Sequence, residues 1–218
     1  MEVKIAFVLD VTASMGPWIH EAKTKIVDMM NALQEDHGVR IKVALVAYRD
    51  YGDTEHFKIV DFTTAEDIQG VLEGIEAEGG EDEAEDVAGA LLQARDLSWN
   101  GSDVCMVVHI ADAPAHGLRY HRSHVSDRYT MGDPTGIYLE EILAELSTDD
   151  IEYTFVKITS STDKMIDVFQ RAYGSPMKFR ILDLRPQQYD EDTTVLLTPA
   201  LTRAITMSIT QNTSSQET

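Results

Sequence analysis

The sequence predicts an α/β fold: a mainly parallel central sheet of about six strands with one antiparallel edge strand and helices on both faces, the three-layer Rossmann-like arrangement. Three observations lead there. Short runs rich in β-branched and aromatic residues alternate with helical apolar spacing almost throughout. The most apolar run, Val104 to Ala111, is what a central parallel strand covered on both faces requires. Two of the runs end in aspartate, Asp10 and Asp112, at the sheet edge where such folds bind ligands.

Val3 to Leu9 is a buried strand with Asp10 at its carboxyl end. After the breaker Gly16-Pro17, the apolar residues Ile19, Ala22, Ile26, Met29, Met30 and Leu33 recur at helical spacing, and Gly38 stops the helix. Val43 to Tyr48 and Phe57 to Phe62 are joined by the polar turn Asp50-Tyr-Gly-Asp53, which suits an antiparallel edge pair. Helices are predicted near Ala65 to Ile75 and Glu83 to Asp96. After the central strand, a His- and Tyr-rich stretch from Pro114 to Gly136 leads to a helix near Ile137 to Leu146, a strand near Ile151 to Ile158, a helix near Asp163 to Tyr173 and a last strand near Lys178 to Leu182.

This defines a domain over residues 1–185. Residues 186–211 form a polar extension with a helix starting at Thr198-Pro199 and carrying Leu201, Ala204, Ile205 and Ser208 on one face. Residues 212–218, rich in Ser, Thr and Gln, are expected to be disordered.

The 218 residues fit one α/β domain, and 43% hydrophobic content is enough for a substantial core. A formal charge of −20, from 18 Lys+Arg against 38 Asp+Glu, disfavours nucleic acid and anionic membrane surfaces as partners. Cys105 is the only cysteine and reads as a small buried hydrophobe without a disulfide partner. No stretch approaches the ~20 apolar residues of a membrane span, and the first strand begins without a secretory leader, so a cytoplasmic location is expected.

Asp10-Val-Thr12-Ala-Ser14 sits where the first strand gives way to the first helix. Alternate residues of an extended loop point the same way, so a carboxylate and two hydroxyls can converge, with Asp112 as the natural second carboxylate. Hard cations such as Mg²⁺ and Ca²⁺ prefer oxygen donors of this kind. Helix capping or a loop role is the competing reading of the same residues.

Asp10-x-Thr12-x-Ser14 resembles the first motif of the metal-ion-dependent adhesion site of von Willebrand factor type A domains. Leu9 to Met15, Ala47-Tyr-Arg-Asp-Tyr51, Gly79-Gly80, Ala111 to Gly117, Gly132-Asp-Pro134 and Thr162 to Met165 together are similar to the branch of that family attached to alpha-kinases. Many type A domains place a threonine after the Gly-Gly turn, whereas this chain has an acidic stretch there. It is similar instead to the integrin beta type, where an acidic residue opens the helix. Glu85, five positions before Ala90-Leu91, matches that pattern, with Glu81 or Asp82 as fallback.

The resemblance implies a non-enzymatic, metal-dependent interaction module. Asp10, Thr12, Ser14, Glu85 and Asp112 would hold Mg²⁺ (or Mn²⁺ or Ca²⁺), and an open position would accept an acidic side chain from another protein. Three carboxylates would hold the cation strongly and leave it less pull on an anionic partner.

Other chemistries fit less well. His116, His121 and His124, with Asp127 and Asp133 nearby, are residue types that zinc uses, but they match no compact zinc motif, so loop hydrogen bonding is expected of them. His109 reads as a satisfied buried histidine, and Arg49 with Asp50 as an ion pair. Phe7 to Ala13 also resembles the first motif of haloacid dehalogenase-type Mg²⁺-dependent phosphatases, with Asp10 as nucleophile. Thr12 stands where their second aspartate belongs, and only Lys157 or Lys164 is available as their later lysine. No glycine-rich phosphate loop follows the first strand, which excludes the usual nucleotide folds.

Overall fold

The computed structural model describes residues 1–186 and 191–216. Six strands form one sheet: β1 (Glu2–Asp10), β2 (Arg40–Tyr48), β3 (Phe57–Thr63), β4 (Val104–Ala111), β5 (Ile151–Lys157) and β6 (Phe179–Asp183). Their order is β3-β2-β1-β4-β5-β6, parallel throughout except for the antiparallel edge strand β3. This is the predicted architecture.

Alternation along β1 divides the core. Val3, Ile5, Phe7 and Leu9 point to one face, where α1 (Gly16–His37), α2 (Ala65–Glu73) and α6 (Leu197–Gln216) pack. Ala6 and Val8 point to the other, covered by α3 (Val87–Arg95), α4 (Leu139–Thr148) and α5 (Asp163–Tyr173). The buried stripe of α1 contains every apolar position expected of it, with Trp18 in addition. Gly38 closes that helix at φ 62°, a left-handed backbone that glycine adopts without steric cost.

The C-terminal helix joins the main core. Leu201 and Ile205 are fully buried among residues of α1, each contributing about 1.5–3 kcal/mol on burial. Thr198 Oγ1 donates to Glu21 Oε1 (3.4 Å) near the start of α1, and the Thr206 hydroxyl meets His37 Nε2 (3.4 Å) at its end, so α6 runs alongside α1 in the same direction. α6 also continues to Gln216, into the stretch for which composition predicts disorder. Among the described residues, no helix is long and apolar enough to cross a membrane.

Register sets the spacing at the sheet's carboxyl edge. Leu9 pairs with Ile110 and Asp10 with Tyr48, so β1 and β4 end almost level, and Asp10 and Asp112 leave the same edge of adjacent strands.

Candidate functional site

Asp10 is fully buried. Thr12 donates its backbone N–H (2.9 Å) and its hydroxyl (2.7 Å) to one oxygen, Asp10 Oδ1, closing the turn into a 3₁₀ segment (Ala13–Met15) that feeds α1. Across the strand boundary, Ser14 lies near Asp112 and favours its charged form. The Asp112 carbonyl in turn accepts from the hydroxyls of Ser161 (2.7 Å) and Thr159, which fix the β4 loop from the start of α5.

Glu85 arrives from a separate segment and is held by the same loop. Its N–H donates to the Pro114 carbonyl (3.0 Å), and it forms a parallel bridge with Ala115. The predicted helix opening at Glu85 is corrected: α3 begins at Val87, and Asp86 caps it by accepting from the Gly89 N–H (2.7 Å). The shorter aspartate takes the capping role while Glu85 stays in bridge geometry. Of the fallback residues, Glu81 pairs with Arg128, while Asp82 accepts from the Arg128 N–H through Oδ2 (2.5 Å) and keeps Oδ1 buried without a hydrogen bond in the wall of the same cavity.

The Gly79-Gly80 turn makes room for this convergence. Gly80 has φ +79°, and a Cβ there would lie 2.9 Å from Glu85 Oε1 and 3.4 Å from Thr12 Cβ. Asp53 Oδ2 accepts from the Gly80 N–H (3.0 Å). Arg49, nearly fully buried, donates to the carbonyls of Glu76 (2.9 Å), Glu78 (3.0 Å), Thr54 (3.4 Å) and Glu55 (2.9 Å), anchoring the segment before the turn. The expected Arg49–Asp50 pair is therefore replaced, because Asp50 Oδ1 bonds His116 Nε2 at 2.6 Å.

Electrostatically the cluster is unbalanced. Burial, aided by the charge of Asp112, pushes Asp10 up to about 7. Burial and then Asp10 push Glu85 up to about 10, and burial raises Asp112 as well. One oxygen of each, Asp10 Oδ2, Glu85 Oε2 and Asp112 Oδ1, is buried without a hydrogen-bond partner. Buried polar atoms are rarely left unmet. A donor set made only of oxygen suits Mg²⁺, Mn²⁺ or Ca²⁺, but among the described residues these three carboxylates do not bring ligand atoms within 4.8 Å of one another, so a cation among them would be reached in part through water. A cavity of about 740 Å³ opens above the cluster, with Thr12, Ser14, Glu85 and Asp112 in its wall.

The histidines form a clamp beside this site. His116 bonds Asp127 Oδ1 (2.8 Å) as well as Asp50, and His121 bonds Asp127 Oδ2 (2.8 Å) and the Arg122 carbonyl (2.9 Å). Burial opposes charge on His116, but its bonds to Asp50 and Asp127 raise its proton affinity. Asp82, His116 and Asp127 do offer ligand atoms within 4.8 Å of one another, yet both ring nitrogens of His116 are already engaged. Asp127 also accepts from the N–H groups of Gly117 (2.8 Å) and Tyr129 (2.7 Å), making it the hub of the loop. His124 is exposed and apart, and Asp133 accepts from the Tyr51 hydroxyl (2.5 Å).

His109 lies in the core, bonded to the Tyr48 hydroxyl (2.9 Å) and the Tyr153 hydroxyl (2.6 Å), and burial lowers it to about 3. The lysines that a phosphatase would need are occupied. Lys157 pairs with Asp163, and Lys164 donates to the carbonyls of Leu118 and His121 (3.0 Å to the latter). Arg49, Asp53 and Asp127 are structural residues that sequence reasoning missed or assigned elsewhere. The sequence signal for them is the abundance of glycine and carboxylate in the site loops, which need side chains to pin their backbone.

A doubly wound, three-layer domain with an all-oxygen cluster at the carboxyl edge of its sheet defines a class of binding domain. Residues 4–127 match the von Willebrand factor A domain family, and the chain belongs to it. Members typically serve as metal-dependent protein-interaction modules. The alpha-protein kinase vwkA of Dictyostelium discoideum is 35% identical over 175 residues, covering 78% of this chain and 27% of that protein. Among solved structures, the pilus adhesin SpaC from Lactobacillus rhamnosus GG superimposes with a TM-score of 0.63 at 14% identity, over 94% of this chain and 30% of the adhesin. The SpRpn10 VWA domain gives 0.56 at 12% identity, over 90% of this chain and 93% of its own. At such identities these structures support the fold alone.

Proposed function

We propose that the chain is a metal-dependent protein-interaction module in which Asp10, Thr12, Ser14, Glu85 and Asp112 hold one divalent cation, Mg²⁺ in the first instance, directly or through water. The partnerless buried oxygens of Asp10, Glu85 and Asp112 carry this reading; Asp50 Oδ2 and Asp82 Oδ1 are likewise buried without a hydrogen bond. An open coordination position facing the cavity would accept a carboxylate from another protein. The binding unit would comprise residues 1–185, with residues 186–211 strapped to it through α6. Its role would be binding, in the cytoplasm, without phosphoryl transfer of its own.

Thermal unfolding tests this reading with EDTA, Mg²⁺, Mn²⁺ and Ca²⁺, for the native chain and for Asp10→Ala/Asp112→Ala. A cation at ~100 times its Kd stabilises by about 2.7 kcal/mol, so a clear rise in Tm is expected in the native chain and none in the variant. Absence of a rise even at high Mg²⁺ refutes the cation site. Turnover of p-nitrophenyl phosphate that vanishes in Asp10→Asn would instead establish a phosphatase.

A further inference from the structure

We propose that Arg122, with the His124 ring beside it as a hydrogen-bond donor, forms a rim on the cavity that reads a second negative charge, so that the preferred partner segment carries two acidic side chains, one for the cation and one for the rim. This rests on the reading of the carboxylate cluster as a cation site.

Arg122, His124 and Lys164 line the same cavity as Glu85 and Asp112. Lys164 is spent on backbone carbonyls of the loop. Arg122 and His124 are exposed, and among the described residues neither side chain has a hydrogen bond or ion pair. In a chain with 38 acidic residues, a nitrogen donor left without a carboxylate is a notable arrangement. Two acidic groups of the cavity wall outside the carboxylate cluster are engaged elsewhere. Asp163 binds Lys157, and Glu83 Oε2 accepts from the Ser126 N–H (3.0 Å).

The rim is also held in place. The Arg122 carbonyl accepts from the Val125 N–H (3.1 Å) and His121 Nδ1 (2.9 Å), while Val125 is buried and His121 is fixed by Asp127. A short turn thus presents two side chains over the cavity on a fixed backbone. The electrostatics call for such a feature. Three carboxylates around one divalent cation leave the centre with a net negative charge, which pulls weakly on an incoming carboxylate. Positive charge at the mouth, set apart from the cation, favours a partner that carries a second acid.

The test is titration of synthetic, end-blocked Gly/Ser peptides bearing either one Glu or two Glu at varied separation, followed by NMR in saturating Mg²⁺ and in EDTA. The native chain is expected to bind the best two-Glu peptide about fivefold more tightly than the one-Glu peptide, the scale of an exposed ion pair. Arg122→Ala/His124→Ala should abolish that preference while keeping the one-Glu affinity and the Mg²⁺-induced rise in Tm.

Equal affinity of the native chain for both peptides under Mg²⁺ overturns the rim and leaves the cation reading intact. So does a two-Glu preference that survives in the rim variant. If no peptide gains affinity from Mg²⁺, or none binds, the proposal fails. The Tm series then decides whether the cation site fails with it.

Discussion

Thr12 gives both of its donors to a single oxygen of Asp10, Oδ1, and leaves Oδ2 buried without a partner. The threonine therefore orients the aspartate whether or not its own oxygen touches a cation. Thr12→Val keeps the shape and removes the hydroxyl. Loss of such an orienting contact typically weakens metal binding about 10–100-fold. Calorimetric titration with Mg²⁺ checks this, and an unchanged Kd would remove Thr12 from the site.

The cluster predicts a pH dependence of definite sign. Asp10 at about 7 and Glu85 at about 10 hold their protons in the fold at pH values where the unfolded chain has released them. Between the ordinary carboxylate range and these raised values the folded state binds more protons, so stability of the metal-free chain should fall as pH rises from about 4 to about 7 and beyond. A cation competes with those protons. Its stabilising effect should therefore be larger at about pH 8 than at about pH 5, with protons released on binding. Equal Mg²⁺-induced Tm shifts at both pH values would contradict this.

Gly80→Ala should damage the site more than the fold. The new methyl meets Glu85 Oε1 at 2.9 Å, and the backbone at φ +79° resists a side chain, a strain of about 1–3 kcal/mol. We expect a stability loss on that scale in EDTA, together with loss of most of the Mg²⁺-induced Tm rise. A variant that is destabilised yet retains the full rise would show that Glu85 does not hold the cation.

His109 gives the opposite pH sign from the carboxylates. Burial lowers it to about 3, below its ordinary 6.5, so the unfolded chain takes up the proton first and stability is lost as pH falls through that window. Its imidazole should remain neutral by NMR at about pH 5. His109→Phe strands the hydroxyls of Tyr48 and Tyr153 and should cost about 1–3 kcal/mol for each left unmet, read by urea denaturation. Protonation near its ordinary value would mean that water reaches this part of the core.

The sheet was legible because its strands are short apolar runs whose period and flanking turns are local signals. Asp10 and Asp112 could be placed together because parallel neighbours end on one edge. What composition could not convey is which polar groups find each other across the loops. Arg49 and Asp50 are adjacent in sequence, but their side chains diverge, one to the carbonyls before the Gly-Gly turn and the other to His116. The resemblance to the integrin beta type implies a helix start at Glu85, whereas the cap is its neighbour Asp86, through a hydrogen bond that periodicity does not encode. The tail from Asn212 looked disordered by composition, yet the chain stays helical to Gln216 as a continuation of a helix whose Leu201 and Ile205 lie in the core.

The side-by-side course of α1 and α6 has a mechanical meaning. α1 leaves directly from the turn that carries Thr12 and Ser14, so any axial slide of that helix would drag the turn with it. Contacts at Glu21 and His37, with Leu201 and Ile205 seated between helix and sheet, oppose such a slide near both ends. α6 is in effect a brake on α1, and a load applied along the last helix would be felt at the lip of the cavity.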